Sequence, residues 1–322
     1  MMRISALAIA LIASTAFAAG TVRAQTVGVA TSPPGSLYHT QASAMAPLLK
    51  EKGNIEVRIQ PFASPNIHLP AINGGQIDFG LANIYEMHLA VEGKDFFQGK
   101  KNDKLRLVTI TGPLRSAIFV KKDSPAKQLV DLKGQRMVWG FAQQNIIMPL
   151  IMAHFEAVGL GEKDITPVLV PAVVRGADDF AAGKADAFFF ALGSAKVTEV
   201  DASVGGIRAL PLPDGPQTQA SFNKHFPPAY IQVVHPAPGL AGIAEPTPIM
   251  AYDAVMLTHA AVPDDVVYNM TKTLHENATE VAKSSPTLRG FAPEGMAKKT
   301  DLAEYHPGAI KYYKEKGLWP PK

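Results

Sequence analysis

Apolar and polar positions along this chain change period in a fixed order, and the order occurs twice. Residues 26–31 (TVGVAT) are a short β-rich run. Ser32-Pro33-Pro34-Gly35-Ser36 follows, and then 37–52, where Leu37, Met45, Leu48 and Leu49 share broadly one helical face. Ser36 is placed to cap that helix. Residues 55–61 alternate as a strand does, with Ile55, Val57 and Ile59 on one side. Ser64-Pro65 reads as a cap with proline at the first helical position. The short helix it opens ends near Asn73-Gly74, where Gly74 is expected in the left-handed cap conformation. Residues 77–82 are the next strand, and Asn83, Ile84 and Tyr85 leave its C-terminal end.

The pattern then starts again. Strands are expected at 105–111 and 117–121, with Gly112-Pro113-Leu114-Arg115 between them as a crossing from one lobe to the other. Residues 124–132 open like a capped helix that Gly134 stops. A strand at 136–141 leads into Ala142-Gln143-Gln144-Asn145, which opens an apolar helix to about residue 158. A strand at 168–174 and a short helix at 178–182 follow. Gly183-Lys184-Ala185-Asp186 and the apolar residues 187–190 then repeat Gly75-Gln76-Ile77-Asp78 and its strand. Residues 211–248, rich in proline and glycine, read as loop, linker or return crossover. Residues 249–258 are strand-like, and 263–282 form an amphipathic helix with Val266, Val267, Met270, Leu274 and Val281 inward. The doubled order predicts two α/β lobes: 25–111 with about 249–322 as lobe one, and about 112–248 as lobe two. A chain of this length exceeds what one hydrophobic core usually serves.

Composition places those lobes outside the cytoplasm. Arg3, the apolar run 4–12 and Val22-Arg23-Ala24 have the layout of a secretory signal peptide over residues 1–24. Cleavage is expected after Ala24, or a little earlier after Ala18 or Ala19. The alternative, a membrane anchor, meets an apolar run too short to span a bilayer comfortably. Arg3 and Arg23 are the only charges of that segment, so its removal takes the formal net charge from +3 to +1. Such a balance argues against nucleic acid, which requires clustered basic surface. The chain has no cysteine, so disulfides, thiol nucleophiles, thiolate zinc sites and a cysteine-linked lipid anchor are excluded. A soluble periplasmic monomer without cofactor or metal is expected.

Several stretches together resemble the TAXI family, the solute receptors of tripartite ATP-independent periplasmic (TRAP) transporters. They are Ala30-Thr31 with Gly35-Ser36-Leu37-Tyr38, Ala63-Ser64, Asn73-Gly74-Gly75-Gln76-Ile77-Asp78, LVDLKG at 129–134, and Gly183-Lys184-Ala185-Asp186-Ala187-Phe188-Phe189. The tail adds His306-Pro307-Gly308-Ala309, Tyr312-Tyr313 and Lys316-Gly317. The resemblance runs from about residue 26 to 319, and it is the ordered set that is specific. It implies a type II periplasmic-binding-protein fold, two Rossmann-like lobes with a ligand cleft between them. It also implies capture of a small carboxylate or amino-acid-like solute and delivery to TRAP permease subunits. The chain departs from the family at Ser32-Pro33-Pro34, where relatives are glycine-rich, and at Phe141-Ala142-Gln143-Gln144-Asn145, which is bulkier than usual.

In open α/β sheets ligands sit beyond the C-terminal ends of the strands, and helix N-termini there favour anions. Candidate ligand-binding residues follow from those positions. Ser36 and Tyr38 lie on the first loop, Ser64 and Asn66 on the second, and Asn83 and Tyr85 at the end of the third strand. Gln143, Gln144, Asn145 and Phe190 are their counterparts in lobe two. Each also has a plain structural role open to it, as a cap or a packed ring. A carboxylate is best met by a bidentate arginine, and Arg115 and Arg175 are the candidates, each with an ordinary surface position as its alternative. His68 reads as a core or solvated histidine. No G-x-S-x-G, H-E-x-x-H, Walker-type or G-x-G-x-x-G motif occurs. The expected function is therefore solute binding for transport. A ligand-sensing partner of a membrane sensor kinase and an exported enzyme are the rivals.

Overall fold

The computed structural model describes residues 25–321, so the expected signal peptide lies outside the described residues. The first half of the chain gives β1 (Gln25–Thr31), α1 (Leu37–Gly53), β2 (Ile55–Pro61), α2 (Pro65–Asn73), β3 (Phe79–Asn83) and α3 (Ile84–Glu92). β4 (Leu105–Lys121) leads to the second set: β5 (Arg136–Gly140), α4 (Ile147–Glu156), β6 (Thr166–Val170), α5 (Val173–Ala181) and β7 (Ala187–Ala191). Then come α6 (Ala195–Ser203), β8 (Ile207–Ala209), α7 (Pro216–His225), β9 (Tyr230–Val234) and β10 (Thr247–His259). Helices α8 (Asp264–Glu276), α9 (Ala278–Ser284) and α10 (Pro307–Glu315) close the chain. The strands form one mixed sheet in the order β2-β1-β3-β10-β4-β7-β5-β6, with β8 on β4 and β9 on β10.

Each lobe is a parallel unit with its first strand in the middle, β2-β1-β3 in one and β6-β5-β7 in the other. The repeated Gly-x-x-Asp stretch explains why. Gly75 and Gly183 both take φ of +74°, a conformation glycine adopts without steric cost, and they end α2 and α5. The aspartate three residues later then fastens its strand to the neighbouring one. Asp78 Oδ2 accepts the backbone N–H of Gly28 on β1 at 2.7 Å, and Asp186 Oδ2 accepts that of Arg136 on β5 at 3.0 Å. The left-handed residue is Gly75; Gly74 is right-handed at φ −78°.

Two long antiparallel strands, β4 and β10, pair with each other and belong to both lobes. β10 pairs β3 through residues 254–258, and β4 pairs β7 through residues 116–120. The break expected at 112–115 is absent. The pairing skips Thr111 where Gly112 takes φ +114°, a bulge that bends the strand without ending it. Residues 211–248 likewise hold more than loop. α7 lies there, and the β-rich run YIQVV pairs with β10 as β9. Conversely 124–132 yields a single 3₁₀ turn at Leu129–Leu132, because Asp131 spends its carboxylate on the N–H groups of Lys127 and Gln128. The tail returns to the first lobe, where the Tyr313 hydroxyl donates to the Val108 carbonyl on β4 at 2.9 Å.

Candidate functional site

A cavity of about 60 Å³ lies where the C-terminal ends of the parallel strands of both lobes meet. That is room for roughly four to six waters. Ser32, Ser36, Leu37 and Tyr38 of the β1–α1 turn form one wall, with Pro65 at the start of α2 and Asn83 and Glu86 at the β3–α3 junction. Opposite stand Gln144, Ile146, Ile147 and Leu150 from the start of α4, Val173 from α5, and Phe189, Phe190 and Ala191 from β7. The shared strands supply the floor, Leu114 and Ser116 from β4 and Tyr252 from β10.

The lining carries one ionisable carboxyl and, among the described residues, no lysine, arginine or histidine. Glu86 is 1% exposed. Asn83 caps α3 and grips it from both ends of its amide. Its Oδ1 accepts the Glu86 N–H at 2.8 Å, and its Nδ2 donates to Glu86 Oε2 at 2.6 Å. Burial pushes the Glu86 carboxyl up to about 8, a hydrogen bond from Asn83 opposing this in part, so with the protein's own groups around it the carboxyl is a neutral acid at pH 7. Burial, and secondarily the nearness of Glu86, also raises the Tyr38 hydroxyl well above the usual phenol range. Three buried oxygens of the lining have no hydrogen-bond partner within the protein: Ser32 Oγ, Ser116 Oγ and Glu86 Oε1. Buried polar atoms are rarely left so, and three around one space mark where a polar solute fits.

Ser36, Tyr38, Asn83, Gln144 and Phe190 are thus brought together. Ser36 also caps α1, accepting from the His39 N–H at 3.3 Å. The other seven candidates lie outside the lining, for local reasons. Ser64 donates to Asn66 Oδ1 at 2.6 Å, so the pair is spent on itself and Pro65 takes the wall position. Tyr85 turns to the side of α3 and meets Phe226 edge-on, ring centroids 4.9 Å apart. Arg115 falls between Leu114 and Ser116 on a strand, so its side chain leaves by the opposite face, where Nε donates to Gln232 Oε1 at 2.9 Å. Arg175 pairs with Asp179 one helical turn on, at 3.1 Å, and is half exposed. Among the three amides a strained turn decides. Phe141, fully buried, holds φ of +44°, and the chain emerges with Gln143 exposed, Asn145 outside the lining and Gln144 inward. Gln144 Oε1 accepts the Val173 N–H at 2.8 Å, tying the starts of α4 and α5 together.

Sequence reasoning missed Glu86, Ser32, Ser116 and Tyr252. The signal for Glu86 was present as the capping-box spacing Asn83-x-x-Glu86. His68 is fully buried in the first lobe, its Nε2 against the Leu81 carbonyl at 3.1 Å, which is the core reading.

The two walls also touch at the rim. The Lys196 N–H at the start of α6 donates to the Gly35 carbonyl on the β1–α1 turn at 3.2 Å. Tyr85 of α3 meets Phe226, which follows α7, and Phe226 packs in turn on Tyr252 at 4.7 Å. The lobes are therefore closed around the cavity.

Lobes of this topology, joined by two shared strands with a cavity between them, define the type II periplasmic-binding-protein fold. The chain belongs to the NMT1-like family, whose model matches residues 29–317. It is similar to a structure described as that of a periplasmic transporter, with 17% identity, a TM-score of 0.54, and 91% of this chain and 93% of that chain covered. It is similar also to PhnD1 from Prochlorococcus marinus in complex with methylphosphonate, at 8% identity and a TM-score of 0.56, covering 91% and 98%. A third likeness is to a structure from work on glutathione import via GshT and the cystine ABC importer TcyBC of Streptococcus mutans. There the identity is 13%, the TM-score 0.50 and the coverage 83% and 96%. At these identities the likeness is one of fold.

Proposed function

We propose that this protein is the periplasmic solute-binding receptor of a membrane transporter, closing two lobes on a small solute and presenting it to a permease. The observation that carries this reading is the small cavity between the lobes, lined from both sides by buried residues, with three buried oxygens left without a partner. The resemblance to TAXI receptors supports a TRAP permease as the membrane partner. The Streptococcus mutans neighbour, from work naming an ABC importer, favours an ATP-driven permease instead. The lobes move about β4 and β10, with 25–111 and about 249–322 as one body and about 112–248 as the other. An anionic carboxylate solute, expected from the family resemblance, lacks its cation here, since Arg115 and Arg175 point elsewhere.

Titration of the chain from residue 25 onward with carboxylates, amino acids, phosphonates and amines tests the reading by calorimetry and thermal shift. One class should bind at a single site and raise the melting temperature. Absence of any shift across all four classes would overturn it. Uptake into proteoliposomes holding the candidate permease then separates the two partners by whether ATP is required.

A further inference from the structure

We propose that the cavity is built for a small organic cation, an ammonium or substituted ammonium, with Glu86 as its counter-ion. The inference rests on the receptor reading above and names the solute class of that site. Its first support is the inventory of free atoms. Ser32 Oγ and Ser116 Oγ adapt to a donor or an acceptor, and Glu86 Oε1, the only unpartnered lining atom that can carry charge, carries it with negative sign. The amide of Asn83 faces Glu86 and is used at both ends. Its second support is the walls. Tyr38, Phe189, Phe190 and Tyr252 are among the lining residues, and an aromatic ring that turns its face to such a space attracts a cation and repels an anion.

Groups that face Glu86 from other elements leave it as the single charge. α1 contributes Tyr38 and β10 contributes Tyr252, and burial keeps both hydroxyls neutral. β4 contributes Ser116, α2 contributes Pro65, and the opposite lobe contributes Gln144 and apolar side chains. In the empty site burial leaves the proton on Glu86. A cation in contact with Oε1 displaces that proton to solvent, so the bound state is an ion pair inside an apolar box. The volume limits the solute to a few heavy atoms in this closed form.

Isothermal titration with methylammonium, trimethylammonium, acetate, acetamide and methylphosphonate tests this, each in two buffers of different ionisation enthalpy. The ammonium series should bind with release of close to one proton. Its affinity should rise about tenfold per pH unit up to about pH 8 and then level. Glu86→Gln should lose the ammoniums at least 100-fold, roughly the loss expected for a buried charge left without its partner. Glu86→Asp should keep a weakened binding with proton release. Near-UV dichroism of each variant establishes that the fold is intact. Binding of acetate, methylphosphonate or acetamide equally by the wild type and Glu86→Gln would overturn the cation inference and leave the receptor reading standing. Failure of every solute, together with failure of the broader panel, would overturn both.

Discussion

Glu86 makes the protein's stability sensitive to pH in a direction opposite to that of most acidic residues, and the effect can be worked from its surroundings. Its carboxyl is 1% exposed and pushed up from 4.5 to about 8 by burial. Between those two values the folded chain keeps a proton that the unfolded chain has released. Stability from this group is therefore complete below about pH 4.5, falls as pH rises, and is fully lost above about 8. The gap corresponds to about 5 kcal/mol, of which about 3 kcal/mol is already lost at pH 7. Glu86→Gln has nearly the same shape and no charge, so its stability should not carry this slope. Urea denaturation of both proteins at pH 5, 7 and 9 reads the difference. The variant should differ from wild type by under about 1 kcal/mol at pH 5 and exceed it by about 5 kcal/mol at pH 9. A difference that stays constant with pH would refute the buried, uncompensated state of Glu86. A wild type gaining on the variant as pH rises would reverse the argument.

His68 and His154 act in the acid range. Each is buried and held down to about 4, so below pH 6.5 the unfolded chain takes a proton the folded chain refuses, and up to about 3 kcal/mol per histidine is lost by pH 4; a His68→Gln, His154→Gln protein should show a lower acid midpoint by circular dichroism. Tyr85→Ala removes the edge-on contact with Phe226 across the rim, so solute affinity measured by calorimetry should fall a few-fold, about 1 kcal/mol. Asp186→Asn leaves Arg136 without its bidentate partner, but both side chains are more than a third exposed, so the loss should stay within about 1 kcal/mol in the same denaturation assay.

What could be read from the sequence was whatever is decided by neighbours along the chain. The repeated Gly-x-x-Asp stretch predicted two matching lobes, although the left-handed residue is Gly75 and not Gly74, and the bond from each aspartate to the adjacent strand is seen only in the structure. Ser36 and Asn83 are helix caps by residue type and position, and both reach the cavity because caps sit at the C-terminal ends of parallel strands. Arg115 was lost to strand parity: one residue earlier or later on β4 it would have faced the solute. Gln143 and Gln144 are adjacent and alike, and the unusual φ of Phe141 chooses between them. Tyr252 ends the apolar run Ile249-Met250-Ala251-Tyr252 on β10, where nothing local separates a floor residue from a core one. Glu86 lies one turn into α3, beyond the strand-end and helix-start positions from which the candidates were drawn.

The closed lobes constrain how a solute enters. In the proposed receptor cycle, parting the lobes bends β4 and β10, the strands that, among the described residues, run through both halves of the sheet path. β4 carries two irregularities near the crossing: its pairing with β10 skips Thr111 beside Gly112, and it skips Val108 opposite Met256 and Leu257. Bending there leaves the parallel units intact. At the rim, the Lys196–Gly35 hydrogen bond nets about 1 kcal/mol and the Tyr85–Phe226 contact about as much again. Contacts on that scale hold the empty protein closed only weakly. A solute that binds the closed form tens of times more tightly than the open one is then enough to shift the population, and the three unpartnered oxygens supply that difference. Buried here without partners in the protein, they oppose the rim contacts, and a solute that supplies those partners favours closure.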